Sequence, residues 1–114
     1  MDEQKRGRIE STIQKELGII IERDLDVDPN LLITITRVEF SPDNRQANIR
    51  TSVFPEQEQE KTLALLNTSA KSFIRPLQKR IRMGYIPHLI FIYDPGIVHN
   101  ARVQELIEKN KESR

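Results

Sequence analysis

The spacing of apolar residues along the chain switches between two periods, and the switches mark its elements. Ile9, Ile13, Leu17, Ile20 and Ile21 recur at helical steps, which places them on one stripe of a helix predicted over residues 3–25. Gly18 softens that helix by about 1 kcal/mol relative to Ala, and Asp28-Pro29-Asn30 ends it with turn chemistry. Residues 31–40 (LLITITRVEF) are rich in β-formers: Ile33 and Ile35 alternate with Thr34 and Thr36, and Val38 and Phe40 then take the opposite phase. Either both faces of this strand are partly buried or a bulge shifts the phase. After the turn Ser41-Pro42-Asp43-Asn44, residues 46–54 form a second strand with Ala47, Ile49, Thr51 and Val53 on one face. The short connection makes the two an antiparallel hairpin.

Helical spacing returns with Leu63, Leu66 and Ala70, preceded by Glu56, Glu58 and Glu60, where negative charge complements a helix dipole. Ala70, Phe73, Ile74, Leu77 and Ile81 continue the apolar side, but Pro76 interrupts the pattern. Proline lacks the backbone donor and crowds the carbonyl of Ser72, a strain of about 3 kcal/mol in a smooth helix. The expectation is therefore two helical pieces meeting at residues 69–72, with Ala70, Lys71 and Ser72 at the kink and Ser72 capping the second piece. Gly84 is the expected stop. The near-continuous apolar run at 89–93 (LIFIY) suits a strand buried on both faces, and so the central one. Asp94-Pro95-Gly96 is a turn, and residues 98–109 can form a last helix, with Val103, Leu106 and Ile107 on one side. The order α-β-β-α-α-β is an α+β architecture, a three-stranded sheet covered on one face by the first and the interrupted helix, plus a short C-terminal helix.

Charge changes this picture more than composition does. The 114 residues amount to one domain, 1–114, and 18 cations against 17 anions leave the chain almost neutral. The distribution is uneven: acids gather at 24–28 and 56–60, whereas no Asp or Glu occurs between Lys61 and Tyr93. On a helix through the latter stretch, Lys71, Arg75, Lys79 and Arg82 line up on the side away from the apolar stripe, with Arg80 set apart from the row. Cations without local acidic partners are the footprint of a phosphate-binding surface. An ordinary solvated face, or for Arg75 and Arg80 a salt bridge to the Glu56–Glu60 acids, is the bland alternative. Arg6 and Arg8 extend the positive surface or belong to a mobile N-terminus.

Little else carries chemistry. With no Cys there is no thiolate nucleophile, disulfide or Cys-bound zinc. His88 and His99 have no metal-ligand spacing. Asp24, Asp26 and Asp28 begin like a calcium loop, but Pro29 stands where the loop's Gly belongs and Ile35 where its Glu belongs. Neither a P-loop nor a G-x-S-x-G elbow is present. The expectation is a non-enzymatic, monomeric, cytoplasmic protein without cofactor or metal. The charged start MDEQKRGR does not read as a signal peptide, and no stretch reaches the length of a membrane span. Phe73 reads as a core anchor, and the few aromatics favour phosphate contacts on folded RNA over base stacking.

Several segments together resemble a known family. Arg8–Leu17 (RIESTIQKEL), Asp28-Pro29 followed by ITITRVEFS at 33–41, Ala70-Lys71-Ser72-Phe73-Ile74-Arg75, Pro87-His88-Leu89 with Phe91-Ile92-Tyr93-Asp94, and Ala101–Ile107 occur in the order found in ribosome-binding factor A, the bacterial small-subunit assembly factor. The resemblance implies a KH-like fold of type II topology, in which an Ala-x-Gly kink takes the place of the GxxG loop. Ser72 stands where the family usually has Gly. It further implies binding to the small (30S) ribosomal subunit and its rRNA during late maturation, near the rRNA 5′ end that is processed, and release by a ribosome-associated GTPase. On that basis Lys71, Arg75, Lys79, Arg80, Arg82, Arg6 and Arg8 are the expected RNA contacts. A protein-interaction adaptor using a sheet edge or the terminal helix is the alternative from another class, and a small α/β enzyme is the third.

Overall fold

A computed structural model describes residues 3–82 and 84–95; the expected C-terminal helix at 98–109 lies outside them. Helix α1 spans Glu3–Asp24 without a break at Gly18, where an added Cβ would meet only open space. Its buried side chains are Ile13, Leu17, Ile20 and Ile21, the stripe read from the spacing. Strands β1 (Leu32–Phe40) and β2 (Gln46–Phe54) pair antiparallel, and the register shifts between Ile35 and Arg37. A bulge at Thr36 thus accounts for the change of phase along β1. The extra residue is put to use: its hydroxyl lies 2.5 Å from Asp94 Oδ2 and 3.3 Å from the Arg50 carbonyl. Asn44 takes a left-handed conformation (φ 59°) in the connecting turn, where Asp43 Oδ1 accepts from the Ser41 hydroxyl and the Arg45 N–H. Those bonds, the Ser41 hydroxyl first, hold the Asp43 carboxyl below its ordinary range.

Strand β3 (His88–Tyr93) pairs parallel with β2, giving the order β1-β2-β3. This corrects the expectation that LIFIY is central: β2 occupies the middle and β3 an edge. Leu89 and Phe91 face the core, while Ile90 and Ile92 are only half-buried, so the apolar run reflects one buried face and one partly covered one.

Helix α2 runs from Gln59 to Ile81 after a short 3-10 helix, Glu56–Glu58, and a cis Phe54–Pro55 peptide. The expected division at residues 69–72 does not occur; the helix is continuous with Pro76 inside it. Its buried stripe, Leu66, Ala70, Phe73 and Leu77, crosses the interruption without a change of phase. Burying each large member of that stripe is worth about 1.5–3 kcal/mol, which together outweighs the proline cost of about 3 kcal/mol. Ser72 does not cap a new helix. Its hydroxyl donates to the Ser69 carbonyl at 2.6 Å, and Thr68 likewise donates to Ala64. Both are back-bonds within the helix, of the kind that slightly bend rather than break it. Arg82, not Gly84, takes the left-handed cap (φ 57°), with its N–H on the Gln78 carbonyl.

Both helices cover one face of the sheet, α1 against β1 and α2, and α2 against β3 and β2. The core between them includes Leu17, Ile49, Phe73, Leu77 and Phe91. Helix side chains also occupy the sheet's outer edges. Gln14 donates to the Ile35 carbonyl and Glu10 accepts from the Phe40 N–H on β1. On β3, Asn67 donates to the Phe91 carbonyl at 3.0 Å and accepts from the Phe91 N–H at 2.8 Å. One amide thereby satisfies both outward-facing groups of an edge residue and blocks pairing with another strand. Asn67→Ala leaves both groups without that partner, and the expected loss is about 1–3 kcal/mol in urea unfolding.

Candidate nucleic-acid interface

The helical period places Lys71, Arg75 and Lys79 opposite the buried stripe of α2, and all three are exposed, as is Arg82 at the helix end. Among the described residues none of these four makes an ion pair. The acids that precede the row, Glu56–Glu60, sit at the opposite end of α2, so they do not fold back on it. Four positive side chains within about three turns hold a local potential that salt screens and that no ion pair among the described residues cancels.

Arg80 is different. Its Nε donates to Glu16 Oε2 of α1. The bland alternative paired it with the Glu56–Glu60 group; the actual partner comes from the neighbouring helix. Arg80 therefore ties α1 to α2, and its charge is already engaged within the protein.

That tie brings the end of α1 against the basic helix. Arg23, Ser72, Arg75, Pro76, Lys79 and Arg80 line a shallow cleft of about 410 Å³ between the two helices. Arg23 is the member that pattern reading misses. It lies far from α2 in sequence, and only the antiparallel approach of the helices, fixed by their two apolar stripes, delivers it. Arg23 Nε and an η-nitrogen reach the two carboxylate oxygens of Asp24 at 2.7 and 3.0 Å. The hydrogen bond holds the Asp24 carboxyl below its ordinary range and raises the guanidinium. Arg75 and Lys79 are thus the unpaired cations of this cleft, and Arg23 and Arg80 its half-neutralised walls. Pro76, which strains the helix, contributes an apolar floor between them.

Arg6 and Arg8 belong to α1 rather than to a loose N-terminus. Arg8 is exposed; Arg6 is half-buried, with a buried Nε that meets no hydrogen-bond acceptor among the described residues. At a rise of 1.5 Å per residue, Arg8 lies about 22 Å along α1 from Arg23, so neither joins the cleft. On the sheet face away from the helices, Arg50 Nε bonds Glu39 Oε1 at 2.5 Å, with Arg37 Nε 4.0 Å from the same oxygen. One carboxylate serves two guanidiniums here, and Asp94 adds a second negative charge near Arg50. Phe73 is 2 % exposed and meets Phe91 edge-to-face at 6.0 Å. It anchors the helix, and its burial closes it to base stacking. Among the described residues no group of three or more His, Asp or Glu side chains could hold a metal ion.

Residues 5–107 match the family described as Ribosome-binding factor A. The chain belongs to that family. Ribosome-binding factor A of Clostridium tetani is 32 % identical over 116 residues, covering 99 % of this chain and 95 % of the relative. The crystal structure of ribosome-binding factor A from Thermus thermophilus superposes with a TM-score of 0.66 at 26 % identity, over 77 % of this chain and 94 % of that one. A homology model of the Thermus thermophilus factor, fitted into the cryo-EM map of a 30S–RbfA complex, gives 0.66 at 25 % identity, over 79 % and 96 %. The family and its α+β architecture are those expected from the short matching segments, although α2 achieves the fold here as one continuous helix with Ser72 inside it. No described helix is long and apolar enough to cross a membrane.

Proposed function

We propose that the protein is a non-enzymatic assembly factor of the small ribosomal subunit, docking on folded rRNA through the basic face of α2. It holds an rRNA region during late maturation, including processing of the 5′ end, and leaves with the help of a ribosome-associated GTPase. It acts in the cytoplasm as a monomer, the whole chain forming one KH-like RNA-binding unit. The observation that carries this reading is the pair Arg75 and Lys79, exposed and unpaired on a rigid element, in a family with a member fitted to a 30S complex. Lys71 and Arg82 extend the contact along the same face, Arg6 and Arg8 add charge at a distance, and Arg80 contributes mainly by positioning α2. An adaptor that adds a strand to the sheet edge fits less well, because Asn67 already occupies Phe91 on β3 and Gln14 and Glu10 occupy β1.

Co-sedimentation with purified small subunits across a salt series tests the reading. If Lys71, Arg75, Lys79 and Arg82 each neutralise a phosphate, log affinity falls against log salt with a slope of about −3 to −4. A slope near zero, with binding that survives nuclease treatment of the subunit, would transfer the contact to protein and overturn the rRNA assignment.

A further inference from the structure

The side of the molecule around the α1–β1 connection carries a second surface of opposite character. Two clefts meet there. One, of about 550 Å³, lies between the end of α1 and β1 and includes Ile21, Leu25 and Leu32. The other, of about 660 Å³, lies between that connection and the start of α2 and includes Pro55, Thr62 and Leu65. Both share Val27, Asp28 and Leu31, so they adjoin at the connection and are described together as one groove. Its apolar content is not all sheltered: Leu32 is 62 % and Leu65 39 % exposed. Large apolar side chains in contact with water at two adjoining clefts mark a docking surface rather than scattered surface residues.

The charges around the groove select the occupant. Glu22 lies on the first cleft, Asp28 on both, and Asp26 and Glu58 on the second, against the single cation Lys61. Among the described residues none of these four acids makes an ion pair. Asp28 has one oxygen engaged by the Asn30 N–H at 2.8 Å. A rim of this sign repels nucleic acid. It favours cations, while the floor favours aliphatic or aromatic side chains, and a polypeptide bearing basic and apolar residues supplies both along one strand. We infer that this groove takes a lysine- or arginine-rich segment of a partner protein that also bears large apolar side chains. The residues of the groove and those of the Arg75–Lys79 cleft do not overlap, so the two surfaces can be occupied together, one by phosphate and one by basic peptide. The sequence signal lies in the acid clusters at 24–28 and 56–60, from which the fold brings Asp26, Asp28 and Glu58 to the groove while Asp24 pairs with Arg23.

The test uses the full chain, ¹⁵N-labelled, and a fluorescein-labelled peptide, Lys-Leu-Lys-Arg-Phe-Lys-Leu-Lys. Two control peptides accompany it, one with Leu and Phe replaced by Ser, the other with Lys and Arg replaced by Glu. The expected result is binding of the first peptide at least about tenfold tighter than either control, because both the apolar anchors and the charge pairs contribute. Amide shift changes should centre on Val27, Asp28, Leu31 and Leu65. The exposed-site variant Leu65→Ser and the double variant Asp26→Asn, Glu58→Gln should each weaken binding by about five- to tenfold with the circular dichroism unchanged. Equal binding of the controls, or shift changes confined to the α2 basic face, would overturn the proposal. So would nuclear Overhauser contacts, in the free protein, from the Leu65 methyls to residues 97–109, which would give the groove to the chain's own C-terminal segment.

Discussion

Reversing two charges, Arg75→Glu together with Lys79→Glu, is expected to abolish co-sedimentation with the small subunit while leaving the circular dichroism spectrum intact. Each reversal removes a phosphate contact and adds a repulsion, so the pair changes the charge of the cleft by about four units and the affinity by about a hundredfold or more. The fold should persist, at a cost of about 1 kcal/mol or less, since Lys79 lies in the last turn of α2, where a carboxylate opposes the helix dipole. Both side chains are exposed and, among the described residues, neither makes an ion pair, and Glu is as good a helix former as Arg or Lys. Arg80→Glu would not be an equivalent experiment. It would set a carboxylate against Glu16 of α1, and any loss of binding would mix a weakened helix pair with a lost contact. Arg37→Gln is the control, because Arg37 is exposed on the other face of the sheet and its loss leaves Glu39 bonded to Arg50. It should leave sedimentation within about twofold of the parent. Unchanged sedimentation of the double variant would remove α2 from the interface.

What could be read in advance divides along physical lines. Local periodicity gave α1 and its four buried residues, the hairpin, and the row on α2, because a 3.6- or 2-residue repeat is a property of neighbours in sequence. The bulge was half-legible: Val38 and Phe40 changed phase, but only the pairing with β2 shows that Thr36 absorbs the change. The place of β3 was not legible. An apolar run such as Leu89–Tyr93 describes how much of a strand is covered, and α2 can cover an edge strand on one side as effectively as two neighbours cover a central one. Pro76 misled for an energetic reason: its local cost is visible in the chain, whereas the burial of Leu66, Phe73 and Leu77 that outweighs it is a tertiary gain. The same limit applies to the candidate site. Lys71, Arg75, Lys79 and Arg82 could be grouped from spacing alone, but the pairing of Arg80 with Glu16 and the arrival of Arg23 needed the helix–helix contact.

That contact is held by the residue whose truncation should have the largest effect on stability. Phe73→Ala is expected to cost about 3–5 kcal/mol in urea unfolding, the range for emptying a large buried aromatic site. Phe73 is 2 % exposed, belongs to the same core as Leu17, Ile49 and Leu77, and meets Phe91 edge-to-face at 6.0 Å with the rings 76° apart. The ring pair adds about 0.5–1.5 kcal/mol to plain burial, and the core on three sides leaves little freedom to collapse into the gap. At about 4–8 °C per kcal/mol for a domain near this size, the midpoint should fall by more than about 12 °C. Phe73→Leu keeps most of the volume and loses the ring contact, so it should cost less than about 2 kcal/mol. The pair of variants separates anchoring from recognition. Phe73 precedes Arg75 by half a turn and faces the core while Arg75 faces solvent, so its job is to fix the angle at which the cations are presented. Phe73→Leu should therefore retain subunit binding at a temperature where Phe73→Ala is already largely unfolded. A loss of binding in Phe73→Leu as deep as that in the charge-reversed protein would make the ring itself part of the rRNA contact, which requires α2 to turn away from the sheet.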